Sequence, residues 1–330
     1  MGRPKKVKET IYEEKMKDTN FAKVYEEEKK KLESSLTKEQ KEKKEKLHKI
    51  MNEINRENKC VVLKFAKDEP DKERLPFGYK CLDKLTGGGI LRGNFTTIWG
   101  SKGTGKTSIA YRMIAEAQKN GLIAAYIDME KAYDAEWAKS FGVDTEELIY
   151  FACDTAEDTL DIFIKLTKEK VVDLIVLDSI QSLSPHGEQY EGKGEKEKSL
   201  VSDTMALLAR KLSQFFRIVT PYVSKAKCAV LLIGQARMDL GSFIKMETLS
   251  GGHALLHNSR LILRLRRGQK ADAPFEIIEI EEEDEKGKKI KVKKQMGFSL
   301  HITVEKSQLK NCIENTDLRI LFYYKDGIHE

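Results

Sequence analysis

One segment of the sequence has residue types and spacing that point to a single chemistry. Gly100-Ser101-Lys102-Gly103-Thr104-Gly105-Lys106-Thr107 is a full G-x-x-x-x-G-K-T, continued by Ser108. Glycines let a backbone curl around phosphate oxygens, and the N–H groups of the loop and of the following helix start then point at them. Lys106 brings a cation to the outer phosphates, and Thr107 offers a hydroxyl to Mg²⁺. Two acids fit the same chemistry. Asp178 ends the apolar run Val171–Asp178, where a carboxylate can orient Mg²⁺ through water. Glu130 follows the run Ile123–Asp128 and could polarise an attacking water. A strand-end cap is the alternative for Asp178, and a surface ion pair for Glu130. The set implies binding and hydrolysis of a nucleoside triphosphate.

These residues need a strand, a tight loop and a helix in immediate succession. Asn94–Trp99 reads as a buried strand and Lys106–Lys119 as a helix. Short apolar strands follow at Ile123–Ile127, Leu174–Leu177, Cys228–Ile233 and Leu261–Leu265. Alternation of such strands with helices predicts an α/β fold, with a central, mostly parallel twisted sheet flanked by helices. Phe275–Glu282 and Lys289–Lys293 flank a turn at 284–288 and read as a hairpin, acidic on one strand and basic on the other. Phe298–Val304 and Ile320–Tyr324 add two further strands.

The 330 residues hold 59 Lys+Arg against 53 Asp+Glu, a net charge of +6. Residues 1–59 hold 18 of the bases and 13 of the acids, so basicity is an N-terminal property. Three regions follow: a charged extension over 1–36, disordered or helical; a helix and strand over 37–66; and a core over 67–330. Thr37 and Gln40 form a capping-box pattern ahead of a helix over 37–57, and Cys60–Phe65 reads as a strand. No apolar run approaches the ~20 residues of a membrane-spanning helix, and no signal peptide is visible, so a cytoplasmic protein with no membrane partner is expected. The five cysteines are scattered without a CxxC pair, which argues against a disulfide framework or a zinc site.

In this order, the elements resemble the RecA-like recombinases from about Lys43 to Ile328. Tyr126–Asp134 resembles the segment that bears the family's catalytic glutamate, and Leu177–Pro185 the family's metal-site strand and its exit. Gly234–Gly241, closed by Gly251-Gly252, resembles the second DNA-binding loop. Phe216–Tyr222, Leu200–Asp203 and Val304–Ser307 are similar to phage UvsX-type recombinases in particular.

The resemblance implies a RecA-like P-loop ATPase core using ATP and Mg²⁺. Glu130 and Lys106 would be catalytic, Gln235 would sense the γ-phosphate, and Asp134 and Trp137 would contact adenine. Lys306 would reach the ATP of a neighbouring subunit. DNA loops would lie near 186–202 and 236–252, with Arg237, Met238, Leu240, Gly251 and Gly252 in the second, Leu240 as the base wedge, and Arg210 and Lys211 as helix-borne phosphate contacts. The implied partners are single-stranded DNA, homologous duplex DNA, further copies in a helical filament, and single-strand-binding and mediator proteins. The implied activity is DNA strand exchange with DNA-dependent ATP hydrolysis. A hexameric helicase motor and an ATP-binding mediator with little turnover are the alternatives. Gln308 departs from the family, which has a second interface lysine there, and Gly234 replaces a commoner polar residue.

Overall fold

The computed structural model describes residues 37–57, 63, 72–185, 190–191, 196–197, 207–238, 247–249, 253–268, 277–283, 289–325 and 327–329. The expected strand over Cys60–Phe65, apart from Leu63, lies outside them. So do the 1–36 extension, most of the expected 186–202 loop, and residues 239–246 and 250–252 of the expected second loop.

The chain divides into two units, 1–71 and 72–330. In the first, α1 spans Lys38–Glu57. It starts on a reciprocal cap: the Thr37 N–H donates to Gln40 Oε1 at 2.9 Å, and the Gln40 N–H to Thr37 Oγ1 at 3.3 Å. Each side chain satisfies an N–H that the helix itself leaves unbonded. No residue of α1 is buried, and Leu47 and Ile50 on its apolar stripe are exposed.

In the second unit β1 (Arg74–Leu75) and β2 (Ile90–Leu91) pair antiparallel around α2 (Lys80–Thr86). Then come β3 (Phe95–Gly100), α3 (Lys106–Lys119), β4 (Ala124–Asp128), α4 (Ala135–Ser140), β5 (Ile149–Phe151), α5 (Ala156–Glu169) and β6 (Leu174–Asp178). A 3-10 turn at Ile180–Ser182 leads to the short pair β7 (Tyr190–Glu191) and β8 (Lys196–Glu197), then α6 (Leu207–Ala226). After these come β9 (Ala229–Met238), β10 (Glu247–Leu249), α7 (His253–Asn258) and β11 (Ser259–Arg267). The chain closes with β12 (Ile277–Glu283), β13 (Lys289–Gln295), β14 (Gly297–Ser307), β15 (Asp317–Tyr323) and β16 (Gly327–His329).

The main sheet runs β16-β15-β14-β11-β3-β9-β6-β4-β5, with β10 also on β9. It is parallel from β11 to β5 and antiparallel from β11 through β16. The central parallel strands bury both faces, so alternate residues feed two cores. Leu231 and Ile233 of β9 join Leu174 and Val176 of β6 on one face; Val230 and Leu232 join Ile175 and Leu177 on the other. That is why these strands read as continuous apolar runs.

The structure lengthens some expected strands. β9 runs to Met238 rather than Ile233 because β10 pairs with its far end. β12 and β13 form the expected hairpin, with Glu279 opposite Lys293, Glu281 opposite Lys291 and Glu283 opposite Lys289; its turn lies outside the described residues.

Candidate nucleotide site and loop stems

The phosphate loop leaves the C-terminal end of the central strand β3 and enters α3 at Lys106. Gly105 holds a left-handed φ of 82°, and a Cβ there would lie 2.5 Å from the Phe322 ring, so only glycine fits. Lys106 is buried, and its Nζ donates to the carbonyls of Gly100 at 3.0 Å and Ser101 at 2.8 Å. Burial pulls its pKa below the usual lysine value, opposed by Asp178 and Glu130. The ammonium is thus held inside the loop by acceptors that anionic phosphate oxygens would outcompete.

Asp178 ends β6 with its carboxylate almost fully buried. One oxygen accepts from Thr107 Oγ1 at 2.7 Å and from the Tyr126 hydroxyl at 3.0 Å. Burial pushes its pKa up to about 6, against the pull of the Thr107 hydrogen bond. The peptide bond that follows, Asp178–Ser179, is cis. Asp128 ends β4 directly opposite Asp178 and is equally buried. Its oxygens accept from the N–H groups of Glu130 at 3.0 Å and Tyr133 at 2.8 Å, which fixes the turn carrying Glu130.

Glu130 and Gln235 meet across the cleft: Gln235 Nε2 donates to Glu130 Oε1 at 2.5 Å. The Gln235 N–H in turn donates to Gln181 Oε1 at 2.8 Å. The cleft is lined by the loop from Lys102 to Ser108 and by Tyr126, Asp128, Glu130, Trp137, Asp178 and Gln235. Trp137 is 37% exposed and packs edge-to-face against Tyr111, with ring centroids 5.4 Å apart. Asp134 caps α4 by accepting the Trp137 N–H at 3.0 Å. A divalent ion fits this donor set: the buried Asp178 carboxylate and the Thr107 hydroxyl would offer it hard oxygen ligands beside the phosphates. Among the described residues no cluster of three or more His, Cys, Asp or Glu could hold a metal alone.

The other sequence-predicted residues are scattered. Arg237 is exposed on β9 opposite Thr248, and Met238 stands opposite Glu247. Arg210 is exposed on α6, whereas Lys211 makes an ion pair with Glu157 of α5 at 3.3 Å. Leu240, Gly251 and Gly252 lie outside the described residues. Lys306, on β14, donates to the carbonyls of Leu256 and His257 at the end of α7. Partial burial and then the nearby Arg260 lower its pKa. Gln308 accepts from Arg260 at 2.5 Å, so a guanidinium stands beside the position where the family's second lysine is missing.

Sequence reasoning missed Asp128, Tyr126 and Gln181. Asp128 and Asp178 both close apolar runs, which was the available signal; nothing local marks Gln181.

A glycine loop between the central parallel strand and its helix, with a buried acid at the end of a neighbouring strand, defines a P-loop nucleotide-binding α/β protein. The RecA N-terminal domain family matches residues 45–328, and the chain belongs to the RecA family. It is 38% identical over 213 residues to Protein RecA of Geobacter sulfurreducens, covering 63% of this chain and 61% of that protein. It is 37% identical over 223 residues to Protein RecA of Treponema denticola, covering 67% and 50%. For Protein RecA of Thermotoga petrophila the identity is 38% over 208 residues, covering 62% and 56%. The match therefore spans between half and about three fifths of these relatives' lengths. No helix among the described residues is long and apolar enough to cross a membrane.

Proposed function

We propose that the chain is an ATP-dependent homologous DNA recombinase that forms a helical filament on single-stranded DNA and exchanges strands with homologous duplex. The observation that carries this reading is the contact between Gln235 and Glu130. Gln235 opens the 236–252 segment, and Glu130 stands where a water-polarising acid belongs, so the state of the nucleotide and the state of the segment meet in one hydrogen bond.

In this reading the loop from Gly100 to Thr107 and Ser108 cradles the ATP phosphates, and Lys106 turns from its carbonyl cage to the outer ones. Thr107 and Asp178 hold Mg²⁺, which when bound would neutralise charge on the phosphate oxygens. Glu130 orients and polarises the attacking water, and Gln235 exchanges Glu130 for the γ-phosphate. Trp137 stacks on the base, with Asp134 fixing its helix. Freed from Glu130, Gln235 would set the 236–252 segment against DNA, a ligand-controlled switch. Arg237, Met238, Leu240, Gly251 and Gly252 would meet the DNA there, with Arg210 exposed for a further phosphate. Lys211 would have to leave Glu157 to join them.

Lys306 would leave the α7 carbonyls for the ATP of the next subunit, and the exposed stripe of α1 would pack on that subunit within the 37–66 region. Residues 1–36 would serve as a basic auxiliary arm. The phage UvsX-type kinship is proposed on Leu200–Asp203, Phe216–Tyr222 and Val304–Ser307. Single-strand-binding and mediator proteins are proposed partners, and the cytoplasm the location. The family match, running to residue 328, favours neither the helicase motor nor the low-turnover mediator.

The test is strand exchange between circular single-stranded and linear duplex DNA with ATP and Mg²⁺. Joint molecules are expected; closed hexameric rings that unwind duplex without pairing would overturn the reading.

A further inference from the structure

We propose that Glu247 is a positioning residue that pins the exit stem of the 236–252 segment to the phosphate loop, coupling that segment to nucleotide through both stems. This rests on the DNA-loop reading above. β9 is the entry stem and β10 the exit stem, paired with Glu247 opposite Met238, Thr248 opposite Arg237 and Leu249 opposite Ala236. Gln235 already ties the entry stem to Glu130.

The exit stem has its own tie. One Glu247 oxygen accepts from Ser101 Oγ at 2.7 Å, and the other from Arg264 at 3.0 Å. Ser101 is the second residue of the phosphate loop, so the contact joins that loop to the exit stem across 146 positions of sequence. Arg264 is itself braced: it lies over the Trp99 ring at 4.8 Å and 3.8 Å from Glu305, which accepts from Trp99 Nε1 at 2.6 Å. Its Nε–H is buried without a partner, so losing Glu247 would leave the guanidinium with Glu305 as its remaining ion-pair partner. The hydrogen bonds from Ser101 and Arg264 hold the Glu247 carboxyl below the usual range, so it accepts as a carboxylate at neutral pH.

Gly234 makes room for a side chain of β10. A Cβ at 234 would lie 2.6 Å from Leu249 Cδ1, so the glycine that departs from the family pattern leaves the space that the Leu249 side chain of the exit stem fills. Glu247 then reaches Ser101 from a seated strand. Phosphates that reshape the loop around Ser101 must pull on the exit stem, and DNA that holds the exit stem must preset Ser101. Linkage makes the two effects equal.

The experiment measures affinity for a fluorescent adenylyl imidodiphosphate with Mg²⁺, with and without saturating oligothymidylate. Wild type should bind more tightly with DNA, by about 5–150-fold as for typical coupled sites. Glu247→Ala should lower that factor at least about 5-fold, and Glu247→Gln, which keeps one acceptor for Ser101, should fall between. Ser101→Ala should also lower it, and the double variant should match the lower single, because both remove one contact. If Glu247→Ala does not fold, Glu247→Gln with Ser101→Ala carries the same cycle. Wild-type coupling in the Glu247 variants, or additive losses, would overturn the role of Glu247 and leave the recombinase reading standing. No DNA effect in wild type would overturn both.

Discussion

Asp178→Asn should stabilise the nucleotide-free protein at neutral pH while removing Mg²⁺-nucleotide binding. The buried carboxyl titrates at about 6 against an ordinary 3.8. Below about pH 4 it is protonated in both folded and unfolded chains and costs nothing. Between 4 and 6 the folded chain holds the proton that the unfolded chain has released, so stability falls as pH rises. Above about 6 both are ionised and the full penalty is present. A difference of roughly two pKa units is about 3 kcal/mol at 1.36 kcal/mol per unit. Asparagine carries no charge yet keeps an acceptor for Thr107 and Tyr126, so it should recover about 1–3 kcal/mol after allowing for imperfect bonds. The assay is urea unfolding of both proteins from pH 4 to 8 without nucleotide. The stability gap should be near zero at pH 4, open up to pH 6 and then level off. With Mg²⁺ and nucleotide the order should reverse, since ligand stabilises only the wild type. A gap independent of pH, or an asparagine variant less stable at pH 8, would refute the burial argument.

Glu130→Gln should retain nucleotide binding and filaments but lower ATP turnover about 10²–10⁴-fold, measured as phosphate release with DNA present. Gly105→Ala should cost about 2–5 kcal/mol in unfolding experiments, from left-handed strain plus the clash with Phe322. Lys306→Ala should lower DNA-stimulated turnover about 10³-fold if it acts across the subunit interface, while freeing the α7 carbonyls should cost only about 1 kcal/mol of stability. Both are read from one preparation by turnover and thermal melting.

The phosphate loop, Asp178 and the first helix were legible because each is a local pattern: glycines at fixed spacing, an apolar run ending in an acid, a threonine three residues before a glutamine. The parallel strands were legible because double burial makes them continuously apolar. β5 was not, since its three residues are an edge strand with Ile149 and Tyr150 exposed, too short for periodicity. Gln235 and Glu130 were each picked out, but their direct bond, like that of Ser101 to Glu247, joins side chains more than a hundred positions apart. Only the sheet order, with β9 between β3 and β6, brings them together. The Gly234 departure has no local sequence signal, because Leu249, whose side chain fills the space it leaves, stands fifteen positions on.

The most direct measurement of the central claim is the ATP hydrolysis rate with and without single-stranded DNA, with filament length followed in parallel by electron microscopy. The account predicts that single-stranded DNA raises the rate and that ATP lengthens filaments on it. A rate indifferent to DNA, with no filaments formed, would contradict it.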